Sequence, residues 1–283
     1  MQNTVEQINP LKAYFRKPGL WVKLPSQGKF YNQKPMDLND MGEIPVYPLT
    51  AKDELMLKNA DALLNGHAIS QVIKSCTPSI VDPENMPAVD LDSILVAIKR
   101  CTYGEHMDVT TKCNCENAKE TSIRIDLNAL ISEIKVIDEI APIEFGNGIK
   151  VFIKPVTVKN ILRLNWVQYE QVRSLQLAEQ QNLDEQSKMS VLQKSYTALT
   201  NESVKVVSGC IDTVLLPDGT AVSDPALIEE WVVDLSKPDY SNLERSIMNT
   251  NTKGVTKEFT VHCPECNENY TSTLDLNPTT FFA

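Results

Sequence analysis

Four of the seven cysteines lie in two close pairs, and their type and spacing suit metal binding. The first pair is Cys-Asn-Cys at 113–115 and the second is Cys-Pro-Glu-Cys at 263–266. Each pair lies between two segments with strand character, as in a hairpin turn. A tight hairpin turn directs two thiolates toward one ion, which is why zinc ribbons use paired cysteines. The sequence therefore predicts one zinc ion held by Cys113, Cys115, Cys263 and Cys266.

The predicted zinc site would be structural, because four sulfur ligands at about 2.3 Å leave no coordination position open for catalysis. Asn267 follows the second pair and suits the left-handed conformation often needed there. The first pair has one intervening residue where zinc ribbons have two, and this spacing strains simultaneous ligation. Two alternatives therefore stay open: metal-free hairpins with free thiols, or His106 or His262 as a substitute ligand.

No segment carries a recognisable catalytic arrangement. Glu105-His106 lacks the second histidine of the metalloprotease helix pattern, and Gly28-Lys29 lacks the remaining residues of a phosphate-binding loop. Three histidines in 283 residues are a small supply for acid–base chemistry. We therefore expect a protein that is not an enzyme.

The composition is typical of a soluble globular protein that contacts other proteins. A formal net charge of −10 disfavours a nucleic-acid partner, which requires clustered Lys and Arg. The longest apolar run, residues 94–98, is far shorter than the roughly 20 residues of a membrane helix. The first residues lack a signal-peptide pattern, so we expect reduced cysteines. Three unpaired ones are expected in the core: Cys76, Cys101 and Cys210.

Four landmarks recur in the same order in the two halves of the chain and predict an internal duplication. In the first landmark, a strand-like run is followed by a proline and then by a threonine that can cap a helix. The offset between the copies grows along the chain, so the second copy carries insertions. The matched segments are 44–50 with 151–157, 72–76 with 206–210, 113–115 with 263–266, and 125–128 with 274–277.

The duplication predicts an α+β fold of two repeats, each with short strands, a helical layer and a terminal cysteine-knuckle hairpin. Residues 1–17 are predicted to form a flexible arm, residues 18–135 the first repeat and residues 136–283 the second. The second repeat carries a long helical insertion at about 157–209, an extended helix or a helical hairpin. This insertion either packs on its own domain or projects and presents an amphipathic face to a partner.

The first helical segment begins with a capping signal. Thr50 is followed three residues later by Asp53, which suits a capping box. In the helix that follows, five residues are expected on the buried face: Leu55, Leu57, Ala60, Leu63 and Leu64.

Several distinctive strings carry a family resemblance. They are Leu-Pro-Ser-Gln-Gly-Lys-Phe-Tyr at 24–31, Val-Tyr-Pro-Leu-Thr-Ala-Lys-Asp-Glu-Leu at 46–55, Asn-Gly-His-Ala-Ile-Ser-Gln-Val-Ile-Lys-Ser-Cys at 65–76, Cys-Pro-Glu-Cys-Asn-Glu-Asn-Tyr at 263–270 and Asp-Leu-Asn-Pro at 275–278. In these strings the chain resembles the baseplate protein family of T4-type tailed bacteriophages. The resemblance spans most of the chain and offers no catalytic residues to carry over.

The resemblance implies a virally encoded protein, made in the host cytoplasm, that acts in assembly of the baseplate hub. It would be an assembly factor or a minor hub component of the virion tail, with other hub or tail proteins as partners. One alternative within the same biology is a chaperone for the tape-measure protein that sets tail length. An alternative from another class is a zinc-ribbon adaptor that binds nucleic acid, which the negative charge disfavours.

Overall fold

The computed structural model describes residues 10–58, 66–116, 118–180, 185–276 and 281–282. Helices and small antiparallel sheets occur together in these residues, so the predicted α+β class is confirmed. The strands are β1 Leu20–Lys23, β2 Glu43–Val46, β3 His106–Lys112, β4 Glu120–Asp126, β5 Ile143–Glu144, β6 Lys150–Ile153, β7 Ile211–Leu215, β8 Ala221–Val222, β9 Glu258–His262 and β10 Asn269–Thr273. The helices are α1 Ala51–Leu57, α2 His67–Cys76, α3 Ala88–Tyr103, α4 Leu127–Ser132, α5 Val158–Gln180, α6 Glu185–Gly209, α7 Pro225–Val233 and α8 Lys237–Asn251.

The first hydrophobic core surrounds helix α3. β1 pairs antiparallel with β2, and both strands contact α3, as does α4. Because α3 is covered on several sides, it buries apolar residues in every turn of its middle section. The buried residues there include Ile94, Leu95 and Ile98.

Helix α1 begins as the sequence predicts. The N–H of Asp53 donates to Thr50 Oγ1 at 3.2 Å, and the N–H of Thr50 donates to the Asp53 carboxylate at 2.8 Å. The predicted capping box is therefore confirmed. Leu57 is buried, but Leu55 is 69% exposed, so the prediction for Leu55 is wrong. Residues two apart on a helix point roughly 200° apart, so both cannot face one core. The other three residues of that prediction, Ala60, Leu63 and Leu64, lie outside the described residues.

Arg16 attaches the chain segment before β1 to the first core. Its guanidinium donates to Ser75 Oγ at 2.7 Å and lies 3.6 Å from the Asp53 carboxylate. A 3-10 helix, Pro10–Tyr14, precedes it. The flexible arm predicted for residues 1–17 falls partly on residues 1–9, which lie outside the described residues.

Asp90, in the first turn of α3, holds the loop that follows β1. Its fully buried carboxylate accepts hydrogen bonds from the Ser26 N–H at 2.8 Å and from the Tyr31 hydroxyl at 2.8 Å. The Ser26 hydroxyl donates at 2.5 Å to the same carboxylate oxygen that accepts from the Tyr31 hydroxyl. Gln27 and Phe30 in this loop have positive φ, a conformation that persists only when surrounding contacts fix it. The three hydrogen bonds to Asp90 provide such contacts.

The buried Asp90 carboxyl predicts a pH dependence of stability. Burial raises the pKa of Asp90 from 3.8 to about 6, so the folded state holds the proton more tightly than the unfolded chain. Its contribution to stability is fully present below the unfolded pKa and is lost as pH rises through about 6. We expect the unfolding free energy of the wild type to fall by about 2 to 3 kcal/mol relative to Asp90→Asn between pH 4 and pH 7. Urea unfolding across this range measures the difference, and a constant difference would contradict the prediction.

The second hydrophobic core lies on a four-stranded antiparallel sheet of order β5-β6-β7-β8. Phe145 packs edge-to-face on Trp231 of α7, with ring centroids 5.7 Å apart. Helices α7 and α8 cover the core with four buried residues: Ile228, Val232, Leu243 and Ile247.

Helices α5 and α6 form the predicted helical insertion as an antiparallel pair. Arg163 lies near the start of α5 and Glu202 near the end of α6. The Arg163 Nε atom lies 2.6 Å from the Glu202 carboxylate, so the two helices run antiparallel. The C-terminal part of α6 contacts the second core, whereas much of the rest of the pair is exposed. Among the described residues, no helix is both long enough and apolar enough to cross a membrane.

Two hydrogen bonds support the predicted duplication. The N–H of Tyr47 after β2 donates to the carbonyl of Cys76, and the N–H of Lys154 after β6 donates to the carbonyl of Cys210, both at 2.8 Å. Each bond joins the end of a strand to the matched cysteine at the end of a helix. The duplication itself, with the boundary at residues 135 and 136, stays a prediction.

Candidate metal centre

Each cysteine pair occupies the turn of an antiparallel hairpin. β3 and β4 pair up to Lys112 opposite Glu120, and β9 and β10 pair up to His262 opposite Asn269. In the second turn the N–H of Asn267 donates to the carbonyl of Cys263 at 2.9 Å. Asn267 has φ of 63°, so its predicted left-handed conformation is confirmed.

The two turns lie against each other and bring the four thiols together. Cys113 Sγ lies 3.9 Å from Cys266 Sγ, and Cys115 Sγ lies 3.9 Å from Cys263 Sγ. All four Sγ atoms lie within 4.8 Å of one another. Two sulfurs bound tetrahedrally to one zinc ion at about 2.3 Å are about 3.8 Å apart. The cluster therefore has the dimensions of a four-thiolate site, even with one residue between Cys113 and Cys115.

The thiols of the cluster differ in acidity. Hydrogen bonds from the backbone N–H groups of Cys266 and Glu265 lower the pKa of Cys263 to about 7. Burial and the neighbouring thiols raise the pKa of Cys115 to about 12. The Cys263 thiolate therefore forms readily near neutral pH, whereas the Cys115 thiolate requires a nearby cation to offset its charge. A divalent metal ion would be such a cation.

Contacts away from the sulfurs also join the two hairpins. Thr111 Oγ1 on β3 donates to Ser272 Oγ on β10 at 2.7 Å, and Lys119 Nζ lies 2.8 Å from the Glu265 carboxylate. The side chains of Leu274 and Leu276, after β10, belong to the first hydrophobic core. The C-terminal hairpin therefore packs on the first half of the chain, and a metal ion would fix its tip.

The two histidines considered as substitute ligands lie outside the cysteine cluster. The ring nitrogens of His262 lie 3.2 and 3.1 Å from the side-chain oxygens of Asn269 and Asn267. His106 is exposed at the far end of β3, opposite Asp126. Within the described residues, the potential metal-ligand group consists of the four cysteines alone.

The remaining cysteines are separate from the metal centre. Cys76 and Cys210 are fully buried, and burial raises the pKa of each thiol to about 12. Cys101 is half-buried and packs against the first core. These three side chains therefore contribute to packing, as the sequence predicts.

A comparison with protein-family models matches residues 19–283 to the family described as T4 bacteriophage base plate protein. The matched range includes both hydrophobic cores and all four clustered cysteines. Searches of curated proteins and of solved structures gave no match.

Proposed function

Because the chain belongs to the T4 bacteriophage base plate protein family, we propose that it acts in assembly of the baseplate hub of a contractile phage tail. The observation that carries the proposal is the family match across residues 19–283. The family supports other phage tail proteins as partners and the virion tail as the destination. The protein would meet these partners in the host cytoplasm during assembly and would act through protein–protein contacts without a catalytic reaction.

The four-cysteine cluster would hold one structural zinc ion in this role. Four sulfurs within 4.8 Å of one another can surround one zinc ion, and a closed site has no free coordination position for a substrate. The ion would keep the two hairpins together so that the protein offers partners a fixed surface.

The pair of helices α5 and α6 is a candidate contact surface for a tail protein. Apolar side chains stand exposed along it, including Val172 on α5 and both Met189 and Tyr196 on α6. Met189 and Tyr196 are 66% and 68% exposed and are seven residues apart, so they share one face of α6. Exposed apolar residues on one helix face suit packing against a partner helix.

Replacing Met189 and Tyr196 together by serine should weaken partner binding and leave the fold intact. Both side chains are exposed, so the change in unfolding free energy should stay within about 0.5 kcal/mol per site. We expect at least a roughly tenfold loss of affinity for the co-purified tail protein, measured by biolayer interferometry. Lys194→Ala on the same helix is the matched control and should bind normally. Unchanged affinity in the double variant would exclude this face of α6 as the contact.

The assembly role is tested by purifying a tagged full-length chain from phage-infected cells. Baseplate intermediates and mature virions are compared by mass spectrometry for the chain and its partners. Hub proteins in the co-purified intermediates would support the proposal, and presence in virions would identify a retained component. Tape-measure protein as the principal partner would favour the chaperone alternative. Absence of any tail protein would contradict both.

A further inference from the structure

The register of the first hairpin determines which backbone groups of β4 face outward. The N–H of Leu127 donates to the carbonyl of Glu105 at 2.8 Å, and hydrogen-bonded pairs recur at every second residue of an antiparallel ladder. The residues of β4 between these bonded pairs therefore direct their N–H and C=O groups away from β3. They are Glu120, Ser122, Arg124 and Asp126.

The same reasoning applies to β9 in the second hairpin. The N–H of Leu274 donates to the carbonyl of Lys257 at 2.7 Å, and the N–H of Cys263 donates to the carbonyl of Glu268 at 2.9 Å. The intervening residues that point away from β10 are Glu258, Thr260 and His262. Each hairpin is a two-stranded sheet, so within the described part of the chain these outer edges of β4 and β9 pair with no further strand.

Arg124 on the outer edge of β4 and three residues on the outer edge of β9, Glu258, Thr260 and His262, line one groove of about 530 Å³. Both β4 and β9 line it, with Arg124 and Glu258 among the residues at its sides. Its lining also includes side chains from the less exposed faces of the hairpins, which make its interior apolar. These are Ile123, Ile125, Phe259, Val261 and Leu274.

We propose that this groove binds one extended segment of a tail protein, which adds as a strand between β4 and β9. The proposal rests on the assembly function and identifies the surface that would serve it. Backbone groups of an extended segment point alternately to its two sides, so one segment can pair with both edges. A strand of a second copy's hairpin is already bonded on one side and could serve only one edge. A single unpaired segment is therefore the occupant that this groove fits.

The groove also defines the chemistry of the bound segment. Every second side chain of an added strand would enter the apolar interior, so the segment should carry aliphatic or aromatic residues at alternate positions. The five residues of β9 limit the paired length to about five residues. The charged residues of the lining are Arg124, Glu133 and Glu258, so the segment should not carry a strong negative charge.

Amide hydrogen exchange tests the site in the full-length protein. Exchange is compared between the free protein and its complex with the hub proteins co-purified from infected cells. We expect the outward amides of Arg124, Thr260 and His262, which line the groove, to exchange at least about tenfold more slowly in the complex. Slowing confined to α5 and α6 would overturn strand addition while the assembly function stands. Slowing that depends on protein concentration without hub proteins would overturn it in favour of self-pairing, and failure to recover any tail partner would overturn both proposals.

Thr260 and Thr271 provide a matched pair of proline variants. They face each other across β9 and β10, both are exposed, and both direct their N–H groups out of the hairpin. Only Thr260 lies on the groove. Proline is tolerated at an edge position whose N–H is not used in the sheet. Thr260→Pro should lower hub affinity at least about tenfold and Thr271→Pro should not.

Zinc content and thermal unfolding verify that each proline variant is folded. Equal affinity of two folded variants would overturn the proposal. If Thr260→Pro unfolds, the hydrogen-exchange comparison in the wild type decides by itself.

Discussion

Cys263→Ser should abolish zinc binding and lower the unfolding midpoint by roughly 10 to 20 °C. The metal would link Cys113 to Cys266, which are 153 positions apart in the chain. Cross-linking a loop of more than 100 residues restricts the unfolded chain by about 5 kcal/mol. Each kcal/mol corresponds to about 2 to 4 °C for a chain of this size. Elemental analysis and differential scanning calorimetry measure the two effects.

Two further variants test the ligand set. Cys115→Ser should behave like Cys263→Ser, because both sulfurs belong to the same cluster. His262→Ala is the control, since His262 adjoins Cys263 in the chain but contacts asparagine side chains instead. It should retain one zinc per chain. Wild-type protein without zinc after purification in the absence of chelator would contradict the zinc assignment, and retention of zinc by Cys115→Ser would remove Cys115 from the ligand set.

Asp90→Ala should cost about 3 to 5 kcal/mol of unfolding free energy. The substitution leaves three donors in the first core without their acceptor: the Ser26 N–H, the Ser26 hydroxyl and the Tyr31 hydroxyl. Each unsatisfied buried group costs about 1 to 3 kcal/mol, partly relieved where water can enter. Urea unfolding at constant pH measures the loss.

Asp108→Ala is the matched control for Asp90→Ala. Asp108 is an exposed carboxylate that lies 3.2 Å from the Arg124 guanidinium, and exposed ion pairs contribute about 0 to 1 kcal/mol. Its loss should therefore change the unfolding free energy far less. Similar losses for the two variants would show that the Asp90 hydrogen bonds do not stabilise the loop as the geometry indicates.

The sequence by itself determined the features that depend on neighbouring residues. The two cysteine pairs, each between strand-like segments, indicated two hairpin turns. Thr50 and Asp53 predicted a capping box, and Asn267 a left-handed residue. These predictions succeeded because hydrogen bonds across three or four residues and the alternation of a hairpin are encoded locally. The family resemblance of the strings between residues 24 and 278 likewise agrees with the family match across residues 19–283.

The tertiary structure alone decided the long-range contacts. No local pattern relates Asp90 to Ser26, which is 64 positions away, and an aspartate in a first helical turn suggests only a favourable helix-end charge. The spacing of Cys113 and Cys115 suggested strained ligation, but packing of the two hairpins directs both sulfurs at one point. The helical spacing of apolar residues likewise predicted the insertion formed by α5 and α6, but it did not show how much of their surface is exposed. Which elements meet depends on the burial of apolar surface by the whole chain, and that information is not carried by any single segment.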